Sequence, residues 1–153
     1  MPVSSAGYRV GLYASPHLLR YNERVRVARR EVDDTALTQA FSRVERVRIP
    51  DSLTYFEFGT LAAMDIFLRE KVDVAVLEVG LGGRLDAVNV FDADCTAVTT
   101  VDFDHMDYLG PDRESIGYEK AGIFRAGVPA VCGDEEPPAA LTGTPARKMP
   151  AFS

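Results

Sequence analysis

The sequence has only two cysteines in 153 residues, at positions 95 and 132. They show no C-x-x-C or other metal-type spacing, which argues against a disulfide framework and against a thiolate metal centre. Both fall in segments that read as strands, so two buried, reduced thiols are expected. No apolar run reaches the length needed to cross a membrane. The N-terminus lacks a charged region followed by an apolar stretch, so no leader is read there. A cytoplasmic protein without membrane contact is the resulting expectation. An excess of positive charge is missing too: the net charge is −6 and the pI about 4.9. That speaks against non-specific nucleic-acid binding and for a small-molecule site in which cations neutralise anionic ligands. There are no internal repeats. What is present, 46% hydrophobic and 26% charged residues, suits one globular domain with a sizeable core.

The pattern along the chain alternates strands with helices. Residues 8–13 read as a strand, followed by a polar corner at Ala14-Ser15-Pro16-His17. Residues 22–32 alternate Arg or Glu with Val and suggest an exposed ribbon; the arginines at 20, 24, 26, 29 and 30 read as a solvated face, with a patch that attracts anionic ligand tails as the alternative. Asp33 or Asp34 can cap a helix to about Val47, with Leu37, Phe41, Val44 and Val47 on one face; Pro50 ends it. Thr54 and Glu57 have capping-box spacing ahead of a largely apolar helix over residues 58–68. Residues 72–79 then form a nearly continuous apolar run, expected to be a strand buried on both faces. After a glycine-rich loop over 80–92 come a strand (96–101), a polar loop (102–107), a short helix (115–124) and a strand (129–131). This order implies an α/β fold with a mostly parallel sheet, over residues 1–136. Residues 137–153 are rich in proline and small residues without periodicity, and a disordered tail is expected there.

Glu78 stands at the C-terminal end of the apolar strand, where open α/β sheets bind ligands. A carboxylate so placed is costly unless paired or holding a cation. Ser15, His105 and Lys120 also follow strand ends or lie on the next helix. Each has a plain structural reading: a turn serine, an acid paired with Arg84 for Glu78, a loop histidine bonded to Asp104 or Asp107, a solvated lysine. Together, with Ser15, Glu78 and His105 expected at one rim of one sheet, they point to Mg²⁺ beside a phosphate ligand.

Three segments carry a resemblance. Gly11-Leu12-Tyr13-Ala14-Ser15-Pro16-His17-Leu18-Leu19-Arg20-Tyr21-Asn22-Glu23-Arg24 is the first. Leu77-Glu78-Val79-Gly80-Leu81-Gly82-Gly83-Arg84-Leu85-Asp86-Ala87-Val88-Asn89 is the second. The third is Asp104-His105-Met106-Asp107-Tyr108-Leu109-Gly110, continuing to Glu119-Lys120-Ala121-Gly122-Ile123-Phe124. In order and spacing they resemble the folylpolyglutamate synthase/dihydrofolate synthase branch of the Mur-ligase superfamily, over roughly residues 7–136. The resemblance implies a P-loop/Mur-ligase central-domain fold and an ATP-dependent amide ligase. ATP would phosphorylate the carboxylate of dihydropteroate or of a folate, and the amine of L-glutamate would displace phosphate. It implies Mg²⁺ held at Ser15 and Glu78, a second Mg²⁺ at His105, and carbamylation of Lys120, which needs a neutral amine. It places the pterin near Thr54, Phe56, Asp86 and Ala87; for Phe56, core packing is the equal alternative. A monomeric parent enzyme is implied.

The family's Gly-Thr-x-Gly-Lys-Gly phosphate loop does not occur in the sequence, which starts inside the helix that follows that loop in the family. Its backbone N–H groups and Lys cradle phosphates. The expectation is therefore an incomplete, inactive form lacking the first strand and the phosphate loop, with a sheet edge left open. A Mur-type ligase of cell-wall synthesis and a degenerate, non-catalytic domain are the other readings.

Overall fold

The computed structural model describes residues 5–103 and 106–143, which divide into two compact units, Met1–Gly80 and Leu81–Ser153. Among the described residues no helix is long and apolar enough to cross a membrane.

The first unit is a four-stranded sheet with two helices. Its strands are β1 (Val10–Tyr13), β2 (Val25–Val27), β3 (Arg30–Glu31) and β4 (Val74–Leu77), in the order β3-β2-β1-β4. β1 pairs with β2 antiparallel and with β4 parallel, Val10 opposite Val74 and Tyr13 opposite Leu77. Two helices connect β3 to β4. Helix α1 (Asp34–Arg48) starts at Asp33, whose side chain accepts the Ala36 N–H. Helix α2 (Tyr55–Arg69) starts at Thr54, and the expected capping box is present: Thr54 Oγ1 accepts the Glu57 N–H and Glu57 accepts the Thr54 N–H. α1 buries Leu37, Ala40 and Val44 and α2 buries Ala62, Ala63, Ile66 and Phe67. Val47, expected on the buried face of α1, is instead 79% exposed, in the last turn of the helix.

The second unit holds a two-stranded parallel sheet, β5 (Thr96–Val98) beside β6 (Ala130–Cys132). Its helices are α3 (Met106–Leu109), α4 (Arg113–Ala121) and α5 (Ala139–Gly143). Val98, Val101, Leu109, Ile116, Ala121, Phe124 and Leu141 form its core. Arg113 and Asp134 clamp the sheet. Arg113 Nε donates to the Val101 carbonyl, and Asp134 accepts the Val101 and Glu136 N–H groups and the Arg113 guanidinium.

The α/β class is as expected, and the departures are local. Among the described residues the strands lie in two sheets, one in each unit. β4 is not buried on both faces: among the described residues β1 is its one hydrogen-bonded neighbour, and its residues are half-buried or exposed. The ribbon over 22–32 folds as a 3₁₀ turn (Tyr21–Arg24) followed by β2 and β3. Cys95 and Cys132 are free, and both are exposed rather than buried, since β6 is exposed along its length and Cys95 precedes β5. Within the segment expected to be disordered, residues 139–143 form α5, whose Leu141 joins the core.

Candidate functional site

The C-terminal ends of β1 and β4 lie side by side because the two strands are parallel and in register at Tyr13 and Leu77. The next residue of β4's chain, Glu78, donates its N–H to the Tyr13 carbonyl at 2.9 Å. Its side chain turns back to the same place, and Oε2 accepts the Ser15 N–H at 2.8 Å. Parallel pairing therefore puts a carboxylate and a serine together at the sheet edge where α/β folds bind ligands. Glu78 is exposed and Ser15 half-buried. Arg84, the partner that the sequence offers Glu78, forms an ion pair with Glu119 inside the second unit.

The loop 15–20 leaves this corner and is held by polar contacts and by the His17 ring, 5.8 Å from that of Tyr21. Glu23 accepts the backbone N–H groups of Leu18, Leu19 and Arg20 at 2.8, 2.8 and 2.6 Å. These three donors hold its carboxyl down at about 2. Arg24 Nε donates to His17 Nδ1 at 2.8 Å, and the guanidinium lies 5.6 and 5.5 Å from the Tyr21 and Tyr55 ring centres. Arg24 is 9% exposed, so it does not belong to the solvated arginine face that the alternating pattern suggests. Burial pushes the neighbouring Tyr13 and Tyr21 phenols up. Neither Glu23 nor Arg24 is marked by residue type alone. The signal for Glu23 was its position three residues after Arg20, the spacing of an acid that reaches back to free N–H groups at the start of a helical turn.

Thr54 and Phe56 belong to the same unit. Thr54 is exposed at the start of α2. Phe56 is half-buried, its ring 5.7 Å from that of Tyr13 and close over Gly80, where an added Cβ would come within 2.8 Å of it.

In the second unit the glycine-rich loop folds down onto the end of α4. Gly82 has φ +66° and Gly83 φ +156°, and a Cβ on Gly83 would meet the Glu119 carbonyl oxygen at 2.9 Å. Arg84 donates its N–H to that carbonyl at 2.8 Å and its guanidinium to the Glu119 carboxylate at 2.9–3.2 Å. Asn89 Nδ2 donates to the Arg84 and Gly122 carbonyls. Buried Arg125 closes the arrangement on the Gly122, Ile123, Phe124 and Asn89 carbonyls and on Asp92. Within this frame Asp86 caps a short 3₁₀ turn starting at Ala87, accepting the Val88 and Leu81 N–H groups at 3.0 Å. Lys120 is half-buried in α4, next to Glu119.

Of the residues singled out from sequence, the structure brings together Ser15 with Glu78 in the first unit, and places Asp86, Ala87 and Lys120 in the second. His105 lies outside the described residues. The Ser15 and Glu78 donors are a hydroxyl and a carboxylate, hard oxygens that suit Mg²⁺, which takes one or two protein carboxylates and completes its shell with waters and substrate phosphates. No group of three or more His, Cys, Asp or Glu side chains able to hold a metal occurs among the described residues. A hydroxyl and a carboxylate oxygen are donors of the kind that Mg²⁺ takes when it also contacts waters and phosphates.

No family model matches the chain. The chain is 56% identical over 137 residues to the dihydrofolate synthase/folylpolyglutamate synthase of Escherichia coli, spanning 90% of this chain and 32% of that protein. The Haemophilus influenzae protein of the same name is 52% identical over 132 residues, 86% of this chain and 30% of that one. Among solved structures, E. coli FolC in complex with DHPP and ADP matches with TM-score 0.90 and 55% identity, over 92% of this chain and 34% of that one. A bifunctional folylpolyglutamate synthase/dihydrofolate synthase with Mn, AMPPNP and L-glutamate bound matches with TM-score 0.87 and 54% identity, again over 92% and 34%. The chain spans about a third of the length of these relatives.

Proposed function

From a chain homologous, over about a third of their length, to the dihydrofolate synthase/folylpolyglutamate synthases, we infer part of an ATP-dependent ligase that joins L-glutamate to dihydropteroate, to a folate, or to both through an acyl phosphate. The relatives' ligands support this: ADP and DHPP in one structure, Mn, AMPPNP and L-glutamate in another. The observation that carries the reading on this chain is the 2.8 Å bond from the Ser15 N–H to Glu78 at the paired ends of β1 and β4.

A divalent cation bound there offsets the charge of the ATP phosphates. The Ser15 hydroxyl and the Glu78 carboxylate supply its protein oxygens, and His105 serves a second cation. Lys120 reacts with CO₂: its neutral amine nitrogen bonds the carbon and releases a proton, leaving a carbamate oxygen donor. Thr54 and Phe56 in the first unit, and Asp86 and Ala87 in the second, are each candidates for contact with the pterin; the Phe56 ring is half-buried, 5.7 Å from that of Tyr13. The relevant protein is cytoplasmic and monomeric. The 153 residues contain no Gly-Lys phosphate loop, so the chain by itself holds the cation corner without turning substrate over. The sequence similarity to folate-branch relatives favours this reading over a cell-wall peptide ligase.

Mn²⁺ titration of the 153-residue chain, followed by water-proton relaxation, tests it. Binding that Glu78→Ala weakens about tenfold or more supports the reading. Binding that is absent, or unchanged by Glu78→Ala, overturns it.

A further inference from the structure

Leu18 and Leu19 are 88% and 90% exposed, so in the loop that carries Ser15 side-chain packing is confined to His17, whose ring lies 5.8 Å from that of Tyr21. Short, exposed loops without packed side chains ordinarily sample many conformations. This one is nevertheless gripped at three consecutive N–H groups by a single carboxylate, from Glu23, and at His17 by Arg24. Both gripping residues belong to one 3₁₀ turn, Tyr21–Arg24. That turn is itself tied to the sheet: the Ala14 N–H donates to the Arg24 carbonyl at 2.9 Å, and Asn22 Nδ2 reaches the Val32 carbonyl and Asp34. A contiguous set of hydrogen bonds therefore runs from the sheet through the turn to the loop, and the loop's other end is the Ser15 N–H on Glu78.

We propose that Glu23 is a positioning residue for the cation corner: by holding the N–H groups of residues 18–20 it sets the loop so that Ser15 stays against Glu78. Three charge-assisted hydrogen bonds to one acceptor form an anion cradle in reverse, in which the protein supplies its own anion. Removing that anion frees three backbone donors whose own leucine side chains are in solvent; the loop then keeps the His17 ring against Tyr21 but loses its defined path over residues 18–20. The assignment of a cation to Ser15 and Glu78 rests on the reading above; the positioning of Ser15 by Glu23 does not.

The test is amide hydrogen exchange by NMR on the metal-free 153-residue chain and on Glu23→Ala. The expected result is exchange about tenfold faster or more at Leu18, Leu19, Arg20 and Ser15, with Val10–Tyr13 amides unchanged. Wild-type exchange at residues 18–20, or faster exchange there with Ser15 unchanged, would falsify the proposal. If Glu23→Ala loosens β1 as well, Glu23→Gln, which keeps one acceptor oxygen and the side-chain size, is read by the same criteria and should fall between wild type and Ala. Mn²⁺ titration of the same proteins separates the two ideas. No binding by wild type, with Ser15 loosened in Glu23→Ala, sinks the cation reading alone. Equal Mn²⁺ binding by wild type and Glu23→Ala, with Ser15 exchange unchanged, sinks the positioning role alone.

Discussion

Arg84 and Glu119 meet twice: the Arg84 N–H donates to the Glu119 carbonyl at 2.8 Å, and its guanidinium grips the Glu119 carboxylate at 2.9–3.2 Å. The backbone contact sets where the glycine-rich loop sits, and the side-chain contact sets how α4's last turn faces it. Lys120, the next residue, takes its place from the same pair. Glu119→Gln and Arg84→Ala in a double-mutant cycle should show a coupling of about 1 kcal/mol, favourable, in chemical denaturation. Strictly additive effects would show the pair to be incidental.

Glycine at 83 answers to that contact. A methyl group there would press on the Glu119 carbonyl, and the φ of +156° disfavours side chains. Gly83→Ala should destabilise the chain by about 1–3 kcal/mol and lower its Tm. Thermal melts followed by circular dichroism measure this directly.

Acid should unfold the chain through a defined set of carboxylates. The N–H groups of Leu18, Arg20 and Leu19 lower Glu23 to about 2, the Arg43 guanidinium lowers Asp65, the Ser115 N–H lowers Asp112, and the Val101 N–H lowers Asp134. Each is lower folded than unfolded, so the stability it contributes is full above about pH 4.5, the ordinary carboxylate range, and is lost as pH falls through the folded value. Urea midpoints should therefore drop steadily from about pH 4.5 toward pH 2. Glu23→Gln should flatten the lower part of that curve. An unchanged slope in the variant would show that Glu23 gains nothing from its three donors.

Ile116 is fully buried in the second unit's core, among Val98, Val101 and Leu141. Ile116→Ala should cost about 2–5 kcal/mol. A loss of similar size should follow from removing residues 139–143, since Leu141 packs in that core, a comparison available from paired urea titrations.

Bicarbonate should add the mass of CO₂ to Lys120 in the cation-bound chain. Intact-mass spectrometry or ¹³C-bicarbonate NMR reads this. A free amine with the cation bound would remove Lys120 from the proposed donor set.

The amino-acid order alone determined the alternation of strands and helices, the caps at Asp33 and Thr54, and the placing of Ser15 and Glu78 after strands, because periodicity and capping are local properties of the chain. It also carried the family resemblance, in three motifs. It did not determine which apolar run is covered. The β4 segment reads as fully buried, yet among the described residues it has one neighbouring strand and its residues are half-buried or exposed. Cys95 and Cys132 read as buried and are exposed for a related reason, since strand pairing decides coverage and pairing is non-local. Tertiary structure alone decided that Glu78 faces the Ser15 N–H, because the parallel register of β1 and β4 joins residues 63 apart in sequence. It alone placed Glu23 beneath three N–H groups and Arg24 between two tyrosine rings, where spacing in sequence had suggested a charged face in solvent.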